Sequence, residues 1–273
     1  MHARETNYQF KDWHIATAKG RIQESMGERR ERYERDIKLP HLPDMLFADN
    51  YLRLKHKDGF GLEFNAYDSL LNIDPNADLI KVSVAKEWRE ARAAEQPELI
   101  DKLIHPFDWT FTTAYKGSLI SEPPQGPRLT ARETAERINL DKLRVQETIC
   151  FFDEVSLFDD ELSDHGIASL NIKIRVMPAS FYILQRYFLR VDNVVIRVYD
   201  TRIHHELGKT YMLREYTEKE SLVKDLTCPP KLFVEPNEIE RYLGLKKLVV
   251  ERLDFPQPSD QPKEASSLDQ PKN

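Results

Sequence analysis

Acidic and histidine side chains gather at three places where chemistry could be done. Asp159, Asp160, Glu161, Asp164 and His165 fall within one short stretch, and grouped oxygen ligands of this kind are what a hard divalent cation takes. The spacing is not that of an EF-hand, and an exposed acidic turn between two strands has the same composition. His204, His205 and Glu206 offer imidazole and carboxylate to a zinc-type site. Adjacent residues on a strand, however, point to opposite faces, and the H-E-x-x-H spacing of a zinc hydrolase is missing. Asp200-Thr201-Arg202 brings a carboxylate and a guanidinium together, as a structural ion pair or as a recognition element for a charged partner. No motif organises these groups into a catalyst. The chain has no G-x-S-x-G elbow, no Walker loop and no dinucleotide fingerprint, and neither cysteine has the context of a nucleophile. The G-F-G at 59–61 lacks the third glycine and the Lys-Ser/Thr pair of a phosphate loop. Two readings stand: a binding or regulatory protein, or a metal-dependent hydrolase that combines the acidic 159–165 loop with His204 or His205.

These groups hang on the most apolar and β-rich part of the chain, residues 170–205. Aromatic and β-branched content favours strand over helix at 181–191, although an all-round apolar run also fits a buried helix. Asp192-Asn193 between YFLRV and VVIRV predicts a two-residue hairpin turn. That turn sets Val191 opposite Val194, Leu189 opposite Ile196, Tyr187 opposite Val198 and Gln185 opposite Asp200, all on one face. A second hairpin is expected from 47–54 and 60–64 about Asp58-Gly59. Residues 8–18, 107–119, 150–158, 209–217 and 245–255 also read as strands, with Phe10, Trp13 and Ile15 pointing inward. Helices are expected over 22–37, after Asn65 or Asp68, over 82–96 with Trp88 on the buried side, over 138–145 and within NEIERYLGL. Residues 121–133, rich in proline, read as a long surface loop, and 256–273, almost without apolar residues, as a disordered tail. The fold class is therefore α+β: antiparallel sheets built from hairpins, a few outer helices, and one domain over 1–255.

Composition narrows the partners. Forty-six acids against 40 bases give a formal charge of −6, so there is no basic field to hold nucleic acid. No segment approaches a membrane span. Cys150 and Cys228 are too few for a disulfide framework or a cysteine zinc site, which suits a reducing compartment. The expected setting is cytoplasmic, with nuclear entry open, for a monomer without cofactor.

LPDMLFADNYLRL, GFGLEFNAYDSL, FDWTFTTAYKGSL, FFDEVSLFDDELSDHG, IKIRVMPASF, IRVYDTRIHHE, TYMLREYT and FVEPNEI together resemble the TIPRL, or Tip-forty-one-like, family. The resemblance spans most of residues 8–255 and fades at the N-terminus, in 93–104, in 121–137 and in the tail. It implies a non-enzymatic regulator in TOR signalling that binds the catalytic subunits of type-2A, type-4 and type-6 serine/threonine phosphatases, including their C-terminal tail. It also implies that Asp68, Ile138, Val198 and Asp200 meet that partner. Arg175, Arg202 and Arg214, read as exposed, are candidates for the acidic, aromatic tail. On this reading Asp68→Arg with Asp200→Arg abolishes binding and leaves the melting temperature nearly unchanged.

Overall fold

In the computed structural model of the chain, residues 3–37, 39, 41–73 and 110–256 are described. The helix expected at 82–96, residues 107–109 of the expected 107–119 strand and the tail from residue 257 lie outside them; the rest of that stretch is irregular up to Lys116 and Gly117, apart from a single bridge at Thr113, and becomes strand only at Ser118.

Alternation of apolar and polar residues generates two antiparallel sheets. The smaller contains β1 (Arg4–Phe10), β2 (Trp13–Lys19), β4 (Tyr51–His56), β5 (Phe60–Asn65) and β6 (Ser118–Ser121), in that spatial order. The larger has eight strands: β3 (Met45–Leu46), β8 (Phe151–Asp160), β9 (Gly166–Met177), β10 (Ser180–Val191), β11 (Val195–Glu206), β12 (Tyr211–Leu222), β13 (Gly244–Asp254) and β7 (Thr130–Glu133). Residues 181–191 are thus strand, and the 121–133 loop contains an edge strand, β7, paired with the far end of β13. The expected first strand is a hairpin of two. Gly61 faces β4, where a Cβ would stand 2.1 Å from the Leu54 carbonyl oxygen. Close strand approach, not phosphate binding, explains the G-F-G.

The sheets are apposed through one apolar cluster. Trp13, Ile15, Leu54, Phe60 and Phe64 meet Phe158, Ile172, Phe181, Ile183, Tyr187 and Leu189. Edge contacts of Trp13 with Phe60, Phe181 and Phe255, at 5.7, 5.8 and 5.6 Å between centroids, lie within the favoured range for aromatic pairs.

The central hairpin departs from expectation by one residue. Its loop takes in Val194 as well as Asp192 and Asn193, with the Val194 amide donating to the Val191 carbonyl at 3.0 Å and Val191 opposite Val195. Asn193 adopts φ 60°, which asparagine tolerates and a β-branched residue does not. Val194 also accepts a hydrogen bond from the Val223 amide. A one-residue slip reassigns every cross-strand pair: Tyr187 faces Tyr199, Leu189 faces Arg197, and Asp200 faces Arg186 instead of Gln185.

Four α-helices lie among the described residues, α1 (Glu28–Asp36), α2 (Ala66–Leu71), α3 (Leu140–Arg144) and α4 (Pro236–Ile239), with four short 3-10 turns besides. Asn65 and Asn139 cap α2 and α3 by accepting the amides of Asp68 and Lys142. None of the described helices is long and apolar enough to cross a membrane. The outer face of the larger sheet is covered by residues 226–243, whose Cys228, Ile239 and Leu243 pack on Phe188, Ile196 and Val198 as a second apolar cluster.

Candidate functional site

On that outer face the side chains of Arg186, Asp200 and Arg202 converge, because β10 and β11 bring alternate residues to one side. Arg186 donates from Nε and Nη2 to both Asp200 oxygens at 2.7 Å, and Arg202 Nη2 donates to Asp200 Oδ2 at 2.6 Å. The covering segment supplies Glu240, which accepts from Arg186 at 2.6 Å, Arg202 at 2.9 Å and Lys219 at 2.8 Å. Asn237 Oδ1 accepts from Arg186 Nη1 at 2.7 Å. Burial would raise the Glu240 pKa, but the hydrogen bond from Lys219 and the charges of Arg186 and Arg202 outweigh it and hold the carboxyl at about 2. The network clamps the covering segment onto the sheet.

Toward the β9–β10 turn the same face opens into a cleft of about 410 Å³ beneath α3, lined by Lys142, Leu143, Arg144, Arg175 and His204 among others. The approach to α3 is fixed from below: Glu215 accepts the Ile138 amide at 2.7 Å and a two-point contact from Arg137 at 2.7 and 3.0 Å. Arg175 Nη2 donates to the Leu143 carbonyl at 3.0 Å, while its Nε is buried without an acceptor among the described residues. Val145, Ile149 and Phe152 stay exposed nearby.

Burial pulls the pKa of His204 down to about 4, against the smaller raising effect of Glu206; Lys142, Lys209 and His205 add to the lowering. A histidine lowered on folding is protonated first in the unfolded chain, so its contribution is present above about pH 6.5 and is lost as pH falls toward 4. A shift of this size corresponds to about 3 kcal/mol. His205 and His56 are lowered by burial in the same sense, while the raised carboxyl of Asp159 works against them. The urea midpoint is expected to be lower at pH 5 than at pH 7, and His204→Gln to reduce that difference; an equal difference in the variant would refute the assignment.

The residues singled out in the sequence are only partly brought together. Ile138, Val198, Asp200, Arg175 and Arg202 share the outer face of the larger sheet. Asp68 does not: it lies on α2 beside the smaller sheet, where it accepts hydrogen bonds from Ser118 Oγ and Asn65 Nδ2. Val198 and Asp200 are wholly covered and Ile138 is buried. The three arginines are not the exposed set expected. Arg214 is buried on the inner face, donating to Glu251 at 2.8 Å, because its position opposite Ile203 turns it toward the smaller sheet. Arg202 is drawn into the Asp200 and Glu240 network. Arg186, Glu240 and Glu215 were not singled out, being distant in sequence from the groups they bind; the ERYLGL helix signal alone could have flagged Glu240.

The hydrolase reading fails on geometry. The turn at 159–165 adjoins Asp192, whose amide donates to the His165 carbonyl, whereas His204 lies near the other end of β11. Nine residue steps of strand lead from Val195 to His204, roughly 30 Å. His204 and His205 also face opposite ways, His205 into the aromatic core at 5.2 Å from Phe181 and 5.3 Å from Phe255. Among the described residues no three histidine, cysteine or acidic side chains are grouped to hold a metal ion.

What the geometry defines is a two-sheet antiparallel scaffold whose charged groups are largely paired with one another across a covered outer face. Residues 45–227 match the TIP41-like family. The chain is 47% identical over 252 residues to the human TIP41-like protein, covering 92% of this chain and 90% of that one. It is 46% identical over 255 residues to the rat TIP41-like protein, covering 93% and 92%. It is 36% identical over 235 residues to the type 2A phosphatase activator TIP41 of Saccharomyces cerevisiae, covering 81% of this chain and 64% of that protein. The chain belongs to the TIP41-like family.

Proposed function

We propose that this protein regulates type-2A serine/threonine phosphatases by binding and holding their free catalytic subunits, without turning over a substrate itself. The observation that carries the reading is its similarity, over 81% of the chain, to a yeast protein named as a type 2A phosphatase activator. The wider proposal takes in the type-4 and type-6 catalytic subunits, a place in TOR signalling, and a monomer folding as one domain over 1–255 in the cytoplasm, with nuclear entry open.

The cleft beneath α3 suits the phosphatase C-terminal tail. Arg175 brings positive charge beside exposed Val145 and Ile149, with Lys142 and Arg144 at the rim already paired with Glu206 and Asp141, and Glu147 opposing them; a guanidinium next to apolar surface is the combination that receives a terminal carboxylate beside an aromatic side chain. Arg202, half-buried at the neighbouring network, adds to the field. Asp68, half-buried on α2, is accessible for direct contact; Val198 and Asp200 act through the covering segment they hold in place. Calorimetry of the full chain with purified catalytic subunit, with and without its tail, tests the reading. A stoichiometric complex is expected, with Arg175→Glu weakening it at least tenfold only when the tail is present. Failure to form a complex, or a stoichiometric transition metal bound to the purified chain, overturns the proposal.

A further inference from the structure

The opposite end of the outer face carries a second groove, of about 650 Å³, between the 159–166 turn and the covering segment. Its floor is apolar: Ile167 and Phe188 lie at its base, and one wall is Val234, 54% exposed although the neighbouring Leu232 and Phe233 pack on the second cluster. Its rim is acidic, with Asp159, Glu161, Asp164 and Asp192 set against one cation among the described residues, Arg190, which is bound to Asp192 at 2.7 Å. The neighbouring Asp160 is structural, accepting the amides of Leu162 at 2.7 Å and Asp44 at 2.9 Å, and so fixes the turn that presents the rim. Asp159 is different. It shares a lateral row with Ser169 and Phe188 at the edge of the apolar floor, and its carboxylate has no hydrogen-bond or ion-pair partner among the described residues. Burial alone pushes its pKa up to about 6.

We propose that this groove docks an extended segment of a partner protein in which a lysine or arginine stands beside a bulky apolar side chain. Charge complementarity selects the occupant. Among the described residues three rim carboxylates remain without an ion-pair partner once Arg190 is matched with Asp192, so an acidic segment or a nucleic acid is repelled and a cationic one attracted. The apolar floor and Val234 give a neighbouring aliphatic side chain somewhere to bury, and a cation at Asp159 supplies the partner that this half-buried carboxylate lacks among the described residues. The carboxylates are arranged around a groove wide enough for a peptide and not as a tight ligand set.

The test uses the full chain and two labelled peptides capped at both ends, Gly-Leu-Arg-Val-Arg-Gly and its charge-reversed form Gly-Leu-Glu-Val-Glu-Gly, followed by fluorescence anisotropy. Saturable binding of the basic peptide only is expected, weakened at least tenfold by Asp159→Asn with Glu161→Gln. Asp159→Asn keeps the side-chain shape while removing a half-buried charge, so the fold is expected to hold. Val234→Ser, at an exposed position, is the second variant and is expected to weaken binding severalfold. Absence of binding by the basic peptide, equal binding of the two peptides, or binding unchanged in both variants overturns the proposal. No phosphatase enters this assay, so its outcome is independent of the reading in the preceding subsection.

Discussion

Asp200→Arg is expected to lower the melting temperature by roughly 10 °C or more. The carboxylate has no exposed surface and joins two guanidinium groups, Arg186 and Arg202. Removing one partner of a buried ion pair costs about 3–5 kcal/mol, and a third guanidinium at that point adds like-charge repulsion. In a protein of this size each kcal/mol shifts the midpoint by roughly 2–4 °C. Asp68→Arg, on the half-buried rim of α2, is expected to move it by little. This reverses the sequence-based expectation that both substitutions leave the melting temperature unchanged. Loss of phosphatase binding in an Asp200→Arg variant therefore reports on folding and on release of the covering segment. Scanning calorimetry of the two single variants decides the matter, and an unshifted midpoint for Asp200→Arg would contradict the clamp.

A fragment limited to residues 45–227, the span matched by the family, is expected to show no cooperative unfolding transition. It lacks β1 and β2, hence Phe10, Trp13 and Ile15 of the main cluster, and it lacks β13 with Leu253. It also loses Ile239, Leu243 and Glu240, leaving the outer cluster and the ion network uncovered. Each large apolar side chain returned to water forfeits about 1.5–3 kcal/mol, against a total stability of about 5–15 kcal/mol. Near-ultraviolet circular dichroism during a thermal ramp checks this; a sharp, native-like transition from the fragment would show that the terminal strands are dispensable.

Much of the architecture was legible because it depends on local signals. Aromatic and β-branched content in 170–205, its Asp192-Asn193 turn and the Asp58-Gly59 turn read correctly as hairpins, Asn65 was one of two cap candidates and is the one the structure uses, and Phe10, Trp13 and Ile15 read as inward residues. The central register was missed because choosing between a two-residue and a three-residue loop depends on what surrounds it: the Val223 amide reaches Val194, and the Asp192 amide reaches His165. The strand β7 was hidden by the prolines before it, since its pairing partner lies about 120 residues further on. The site was less legible still. Asp200 and Val198 share a face as read, but nothing near them in sequence announces that Glu240 and Ile239 lie on top of them.

The ring of Trp13, near the start of the described chain, touches groups from three distant segments of it: His56 at 5.0 Å, His205 at 5.9 Å and Phe255, near its end, at 5.6 Å. That makes it an internal optical gauge. With Trp88 and Trp109 changed to phenylalanine, the remaining indole emits from a dry aromatic cage while the two sheets are closed on each other, and shifts to longer wavelength once water enters between them. The two imidazoles add a second channel, because a protonated imidazolium quenches a nearby indole. Parting of the sheets and protonation of the cage can then be followed separately in one cuvette, without any label.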